Sequence, residues 1–195
     1  MTAARVTGLI LAGGRARRLG GRNKALLRVG GVTMIDRVTA IVRPRVAELY
    51  VSVAEPATWT DLPTVLDDPP GQGPLAGIAA GLARAPGWLL AVAVDMPHLR
   101  GELLDLLLER AAEEPMAGAV AFRLGGLPEP LVALWSASAL PVVARRLARG
   151  ARKVAAALED QDLRCAWLDE ARARAVDDGL RSFHNVNRVE DVDAL

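Results

Sequence analysis

The chain has 195 residues, 51% of them hydrophobic and 24% charged, which suits one globular domain burying roughly 70% of its unfolded surface. Its 24 Lys and Arg nearly balance 23 Asp and Glu, and a formal net charge of +1 argues against bulk binding of nucleic acid. The single cysteine, Cys165, excludes an internal disulfide and suits a reducing cytoplasm.

Further classes drop out on similar grounds. The longest apolar run, Trp88 to Val94, falls far short of the ~20 residues a membrane span needs. No signal-peptide core with a cleavage site precedes the first strand. One cysteine with two distant histidines, His98 and His184, does not make a zinc site, and both histidines read as structural or surface residues.

In chain order, Val6–Leu11 is an apolar run that predicts a buried strand. Directly after it, Gly13, Gly14, Gly20 and Gly21 are interleaved with Arg15, Arg17, Arg18, Arg22 and Lys24. No acid precedes Asp36, so a nearly neutral protein has gathered positive charge at one strand-loop junction. Glycines let backbone N–H groups approach a ligand, and such groups beside Arg and Lys make a cradle for a polyanion such as a nucleoside triphosphate. A solvated basic loop with turn glycines would carry the same residues. The loop is not a P-loop, since no Gly-Lys-Ser/Thr follows, and its glycine spacing is not G-x-G-x-x-G.

The Gly30-Gly31 turn leads to a predicted helix over Thr33–Val42, capped by Thr33 with Asp36 in its first turn and closed by Pro44. Strands follow at Glu48–Ala54 and Thr64–Leu66, then a loop from Asp67 to Gly73. Pro74 opens a helix through Ala85 whose Ala and Gly content allows close packing on a sheet. Trp88–Val94 predicts a central parallel strand, covered on both faces and ending in Asp95-Met96-Pro97. A leucine-rich helix spans Glu102–Glu113. Strands are then expected at Ala117–Phe122 and Leu131–Trp135, with Arg123–Pro130 as a loop between them. Ser138 is expected to cap a helix to Ala148, followed by a short helix at Val154–Leu158 and an edge strand at Arg164–Leu168. The segment from Phe183 reads as a strand end and a final helix. Strand and helix alternate through the first half of the chain, which predicts an α/β fold with a mostly parallel sheet.

Ligands of such sheets bind beyond the carboxyl ends of the strands. The glycine loop, Asp67 with Asp68, and Asp95 all fall at such ends. Asp95, at the end of a fully apolar strand, is placed to hold Mg²⁺ against phosphates, although a capping aspartate would sit there too. Asn187 with Glu190 forms a capping-box pattern that explains Asn187 as structure.

The run LAGGRARRLGGRNKALL resembles the signature of the molybdenum cofactor guanylyltransferases, usually Leu-Ala-Gly-Gly, Arg-Met-Gly and Asp-Lys. Three further segments line up in order: GPLAG from Gly73, VDMP from Val94 and FHNVN from Phe183. The resemblance spans nearly the whole chain. It implies one Rossmann-like nucleotidyltransferase domain over residues 1–195, with helices on both faces of its sheet. The resemblance also implies that roughly the first 110 residues bind the nucleotide and the rest the pterin.

The activity implied is transfer of GMP from Mg-GTP to molybdopterin carrying molybdenum, releasing pyrophosphate. The resemblance places Leu11, Ala12, Gly13 and Gly14 at the nucleotide backbone contacts and Lys24 and Arg18 at phosphate. Asp68 matches the acid at the guanine end, and Asp95 the Mg²⁺ ligand, with Asn185 or Asn187 beside it. Two departures stand out: Asn23 replaces an Asp, and Ser52 replaces an Asn near the base. Arg152 and Lys153 are candidates for a second phosphate. Other molybdenum cofactor biosynthesis proteins and molybdoenzyme apoproteins are the implied protein partners, with no nucleic acid and no membrane. The rival readings are a cytidylyltransferase acting on the same pterin, which tends to carry Leu-Ala-Ala-Gly, and a non-catalytic nucleotide-binding partner.

Overall fold

The computed structural model describes residues 6–13 and 23–186. Its first strand, β1 (Val6–Leu11), is buried along its whole length. A small hairpin follows, β2 (Arg28–Val29) and β3 (Val32–Thr33), turning at Gly30 and Gly31 with φ of 56° and 82°. Helix α1 (Met34–Val42) starts where expected, because Thr33 Oγ1 accepts from the Asp36 N–H. Pro44 sits in a 3₁₀ turn, Arg43–Arg45, that ends the helix.

Strands β4 (Glu48–Val53) and β5 (Thr64–Leu66) come next, then helix α2 (Pro74–Leu82). The cap of α2, Gly73, has φ 75°, a conformation that favours glycine, and Pro74 occupies the first helical position. β6 (Trp88–Ala93) and α3 (Gly101–Glu113) complete the alternating half. The rest comprises β7 (Ala119–Leu124), β8 (Leu127–Ser136), α4 (Leu140–Ala148), α5 (Val154–Leu158), β9 (Cys165–Asp169) and α6 (Glu170–Val176).

The main sheet has the order β5-β4-β1-β6-β8-β7-β9. Every neighbouring pair is parallel except those of β8, which runs antiparallel to both β6 and β7. β6 is therefore central as expected, but parallel to its neighbour on one side only. Apolar residues on one face of the sheet pack on α1, α3 and α6, and those on the other on α2, α4 and α5. Along β1 the faces alternate, with Val6 and Ile10 in the first layer and Leu9 and Leu11 in the second. On α2, Gly81 lets the helix settle on Leu9 and Leu89, where a Cβ would come within 2.8 Å and 2.9 Å of their methyl groups.

Three expectations are corrected. The segment 123–130 is not a loop: β7 and β8 form a hairpin turning at Gly125-Gly126, whose φ values of 56° and 81° suit a type I′ turn. Ser136, not Ser138, supplies the cap before α4, accepting from the Ser138 N–H of a 3₁₀ turn, Ala137–Ala139. Phe183 closes a 3₁₀ turn, Arg181–Phe183, and is no strand end. The expected final helix lies outside the described residues.

Candidate active site

The strand register puts the site at one height. Leu11 pairs with Ser52 on one side and Ala93 on the other, and Ser52 pairs with Val65. Two residues beyond that shared row stand Gly13, Asp95 and Asp67. All three line one cavity, together with Lys24, Ser52 and the Gly73-Pro74 start of α2. Ala12 donates its N–H to the Ser52 carbonyl at 3.0 Å, and the Leu11 carbonyl accepts from Val94 at 3.2 Å. The loop thus leaves the sheet fastened to strands on both sides.

At the β6 side, Lys24 Nζ donates to Asp95 Oδ2 at 2.7 Å, with side chains 22% and 16% exposed. Asn23 supports this pair. Its side-chain oxygen accepts from the Ala25 N–H at 3.0 Å, capping the turn Lys24–Leu26 that carries the lysine. Asn does here what an Asp would do as a cap, so the departure costs no structure. The other oxygen, Asp95 Oδ1, is buried without a hydrogen-bond partner among the described residues, as is Asn185 Oδ1. The Val186 N–H donates to the Asp95 carbonyl at 2.9 Å, and Ser182 Oγ donates to the His98 carbonyl at 3.1 Å. These bonds lay residues 182–186 along the end of β6. Buried oxygens lacking donors fit a divalent cation, whose ligands are carboxylate and amide oxygens.

At the β5 side, Ser52 Oγ donates to Asp67 Oδ1 at 2.5 Å, and the two residues are only 2% and 5% exposed. Burial raises the Asp67 carboxyl above its ordinary range, and the Ser52 hydrogen bond offsets this in part. Gly13 and Gly77 close over this pair. A Cβ on Gly13 would collide with Asp67 Oδ2, and one on Gly77 with Ser52 Oγ.

The structure therefore brings Leu11, Ala12, Gly13, Lys24, Ser52 and Asp95 to one cavity, with Asn185 tied to it through Val186. Asp68 is not brought in. The alternation of β5 continues past its end, so Val65 and Asp67 are buried while Leu66 and Asp68 are exposed. Arg152 and Lys153 are exposed ahead of α5 and do not line the cavity. Gly14, Arg18 and Asn187 lie outside the described residues. Glu129, which no local motif marks, has its carboxyl raised by burial, with the nearby charge of Asp95 adding to the effect. His184 is exposed, as expected of a surface residue.

The MobA-like NTP transferase domain matches residues 8–163, most of the chain. The chain belongs to that family. A molybdenum cofactor guanylyltransferase from Serratia proteamaculans is 35% identical over 193 residues, covering 95% of this chain and 91% of the relative. One from Cereibacter sphaeroides is 37% identical over 196 residues, covering 96% and 94%. Among solved structures, molybdopterin-guanine dinucleotide biosynthesis protein A from Archaeoglobus fulgidus superimposes with a TM-score of 0.81 at 27% identity, covering 96% and 95%. The 2-C-methyl-D-erythritol 4-phosphate cytidylyltransferase from Thermus thermophilus shares the fold, with a TM-score of 0.67 at 17% identity. This MobA-like chain is thus a nucleotidyltransferase, and its cavity at the strand ends is the candidate place for that chemistry. Among its described residues no helix is long and apolar enough to cross a membrane.

Proposed function

We propose that this chain transfers GMP from Mg-GTP to the terminal phosphate of molybdopterin carrying molybdenum, in the cytoplasm, releasing pyrophosphate. The observation that carries the reading is the pairing of Lys24 and Asp95 in the same cavity as the β1 loop, in a chain whose curated relatives are named guanylyltransferases. A phosphate oxygen of the pterin attacks the α-phosphorus of GTP in line. The new P–O bond forms as the bond to the bridging α,β-oxygen breaks, and the electron pair leaves with pyrophosphate.

The nucleophile is already an anion, so no side chain need remove a proton. The residues instead position and neutralise charge. Lys24 lends an ammonium to the phosphates, and Arg18 adds a second cation from the glycine-rich loop. Asp95 and Asn185, whose Oδ1 atoms have no hydrogen-bond partner among the described residues, would hold Mg²⁺, with Asn187 as a further candidate. The metal supplies charge neutralisation at the phosphates when bound. Leu11, Ala12, Gly13 and Gly14 shape the backbone that the nucleotide meets, and Ser52 lies under its base. Other molybdenum cofactor biosynthesis proteins and the molybdoenzyme apoproteins are the partners this reading implies.

Incubation of the protein with molybdopterin and each magnesium nucleoside triphosphate in turn, with mass identification of the dinucleotide, tests the reading. A guanine dinucleotide as main product supports it. A cytosine dinucleotide, or no transfer with any nucleotide, defeats it.

A further inference from the structure

We propose that Glu129 is a second carboxylate ligand for the divalent cation at Asp95, a role that rests on the metal reading above. β8 runs antiparallel to β6, with Ala91 opposite Ala133 and Val92 opposite Val132. Continuing that row past the end of β6 brings Asp95 level with Glu129. Directly opposed residues of an antiparallel pair share a face of the sheet. Here it is the face that carries Ala91, Ala133 and Leu131. Leu131, two positions from Glu129 and so on the same side of β8, lines the cavity. The negative charge of Asp95 accordingly reaches Glu129.

The ionic balance of this wall is incomplete. Asp95 and Glu129 bring two negative charges, and Lys24 brings one positive charge, set against Asp95 Oδ2. Glu129 Oε1 accepts the Leu131 N–H at 3.1 Å, which holds the side chain along its own strand. No Lys or Arg pairs with it among the described residues. Asp95 Oδ1 likewise is buried without a donor there. Two acids near one another, each partly withdrawn from water, repel until a cation comes between them. Mg²⁺ is commonly held by one or two carboxylates, with phosphate and water oxygens completing its octahedron. Asp95 would be the first of these carboxylates and Glu129 the second, beside the amide oxygen of Asn185.

The test uses Glu129→Gln and Glu129→Cys, with metal binding followed by Mn²⁺ paramagnetic resonance and Cd²⁺ calorimetry, and thermal melting alongside. Glu129→Gln is expected to weaken Mn²⁺ binding by about 10-fold or more, the scale on which groups around a metal act. Its melting temperature without metal is expected not to fall, since a like charge has been removed. Glu113→Gln, on the exposed side of α3, is expected to leave Mn²⁺ affinity unchanged. Glu129→Cys is expected to lose Mn²⁺ affinity and to keep or gain affinity for Cd²⁺, because a soft thiolate suits the softer ion. The native Cys165 does not compete, as burial pushes its thiol up to about 12.

Unchanged Mn²⁺ affinity in Glu129→Gln overturns the proposal. Equal weakening of Mn²⁺ and Cd²⁺ in a Glu129→Cys protein that melts normally overturns it too, since that is the mark of a charge acting at a distance. So does a Glu129→Gln variant that loses GTP affinity in the absence of metal and binds Mn²⁺ normally, which would place Glu129 against the substrate. Should Glu129→Cys fail to fold, Glu129→Gln is read for the rise in melting temperature that Mn²⁺ gives. A smaller rise supports the proposal and an undiminished one defeats it. Wild-type protein that binds no Mn²⁺, with or without GTP, sinks the metal reading itself. Wild-type binding that Glu129→Gln leaves intact sinks only the role of Glu129.

Discussion

Lys24 and Asp95, 71 positions apart in the chain, meet at 2.7 Å across the cavity that opens beyond β1 and β6. One comes from a short turn after the basic loop, the other from the end of the most apolar strand. The pair keeps a cation and an anion in place before any substrate arrives. Replacing Lys24 by Ala removes a charge-assisted phosphate contact, expected to cost about 1.5–3 kcal/mol of GTP binding. Calorimetry with GTP reads this directly, and unchanged affinity with unchanged turnover counts against a phosphate role.

Asp95→Ala is expected to lower transfer by ~100-fold or more, the scale seen when a preorganised charge is removed from a transition-state site. The fold is expected to survive, because the Asp95 side chain stays partly exposed and pairs with a lysine at the cavity, not in the core. Turnover and melting temperature, measured together, separate the two. Titration with Mn²⁺ followed by electron paramagnetic resonance adds a reading independent of activity: the variant is expected to bind the ion more weakly.

Gly77→Ala tests the crowding over Ser52. The new Cβ would collide with Ser52 Oγ and come within 3.0 Å of Asp67 Oδ1. Overpacking of this kind costs typically 1–3 kcal/mol, so the urea midpoint is expected to fall accordingly. The Gly31→Ala variant meets nothing within 4 Å and isolates the separate cost of a positive φ, here 82°.

Asp67 also predicts a pH dependence. Its carboxyl is raised from 3.8 by burial, so the folded state holds the proton more tightly than the unfolded state. The resulting stabilisation is complete below the unfolded value and is lost as pH rises through the folded one. At neutral pH the buried charge is a burden that Asp67→Asn removes. The variant is therefore expected to be more stable than wild type near neutrality, with the advantage fading as pH falls toward ordinary carboxylate values. Urea midpoints across that range check the sign. An advantage that grows on acidification contradicts it.

Much of this was legible in the chain because apolar runs and caps are local signals. Val6–Leu11 and Trp88–Ala93 are too apolar to lie anywhere but under two layers of helices, and Thr33 with Asp36 marks the start of α1 unambiguously. Asp95 was legible for the same reason, as the first acid after such a strand. One reading failed where the deciding contact is distant. The segment 123–130 reads as a loop in the sequence, and its Pro128 and Pro130 cannot donate to a ladder. β8, however, outruns β6, whose last paired residue is Val92 opposite Val132, so its first residues pair with β7 alone and behave as an edge. The resemblance pointed to Asp68. Which of Asp67 and Asp68 is buried turns on whether β5's alternation persists beyond Leu66, and nothing in the local residues reveals that Ser52, on the next strand, donates to Asp67.

The bond from the Val186 amide to the Asp95 carbonyl has a consequence for how the protein comes to life. Gly13, Lys24, Ser52, Asp67 and Asp95 all leave the ribosome well before residues 182–186. Until that late segment emerges, the Asp95 carbonyl lacks the Val186 N–H, so the backbone at the end of β6 is the last part of the site to be fastened.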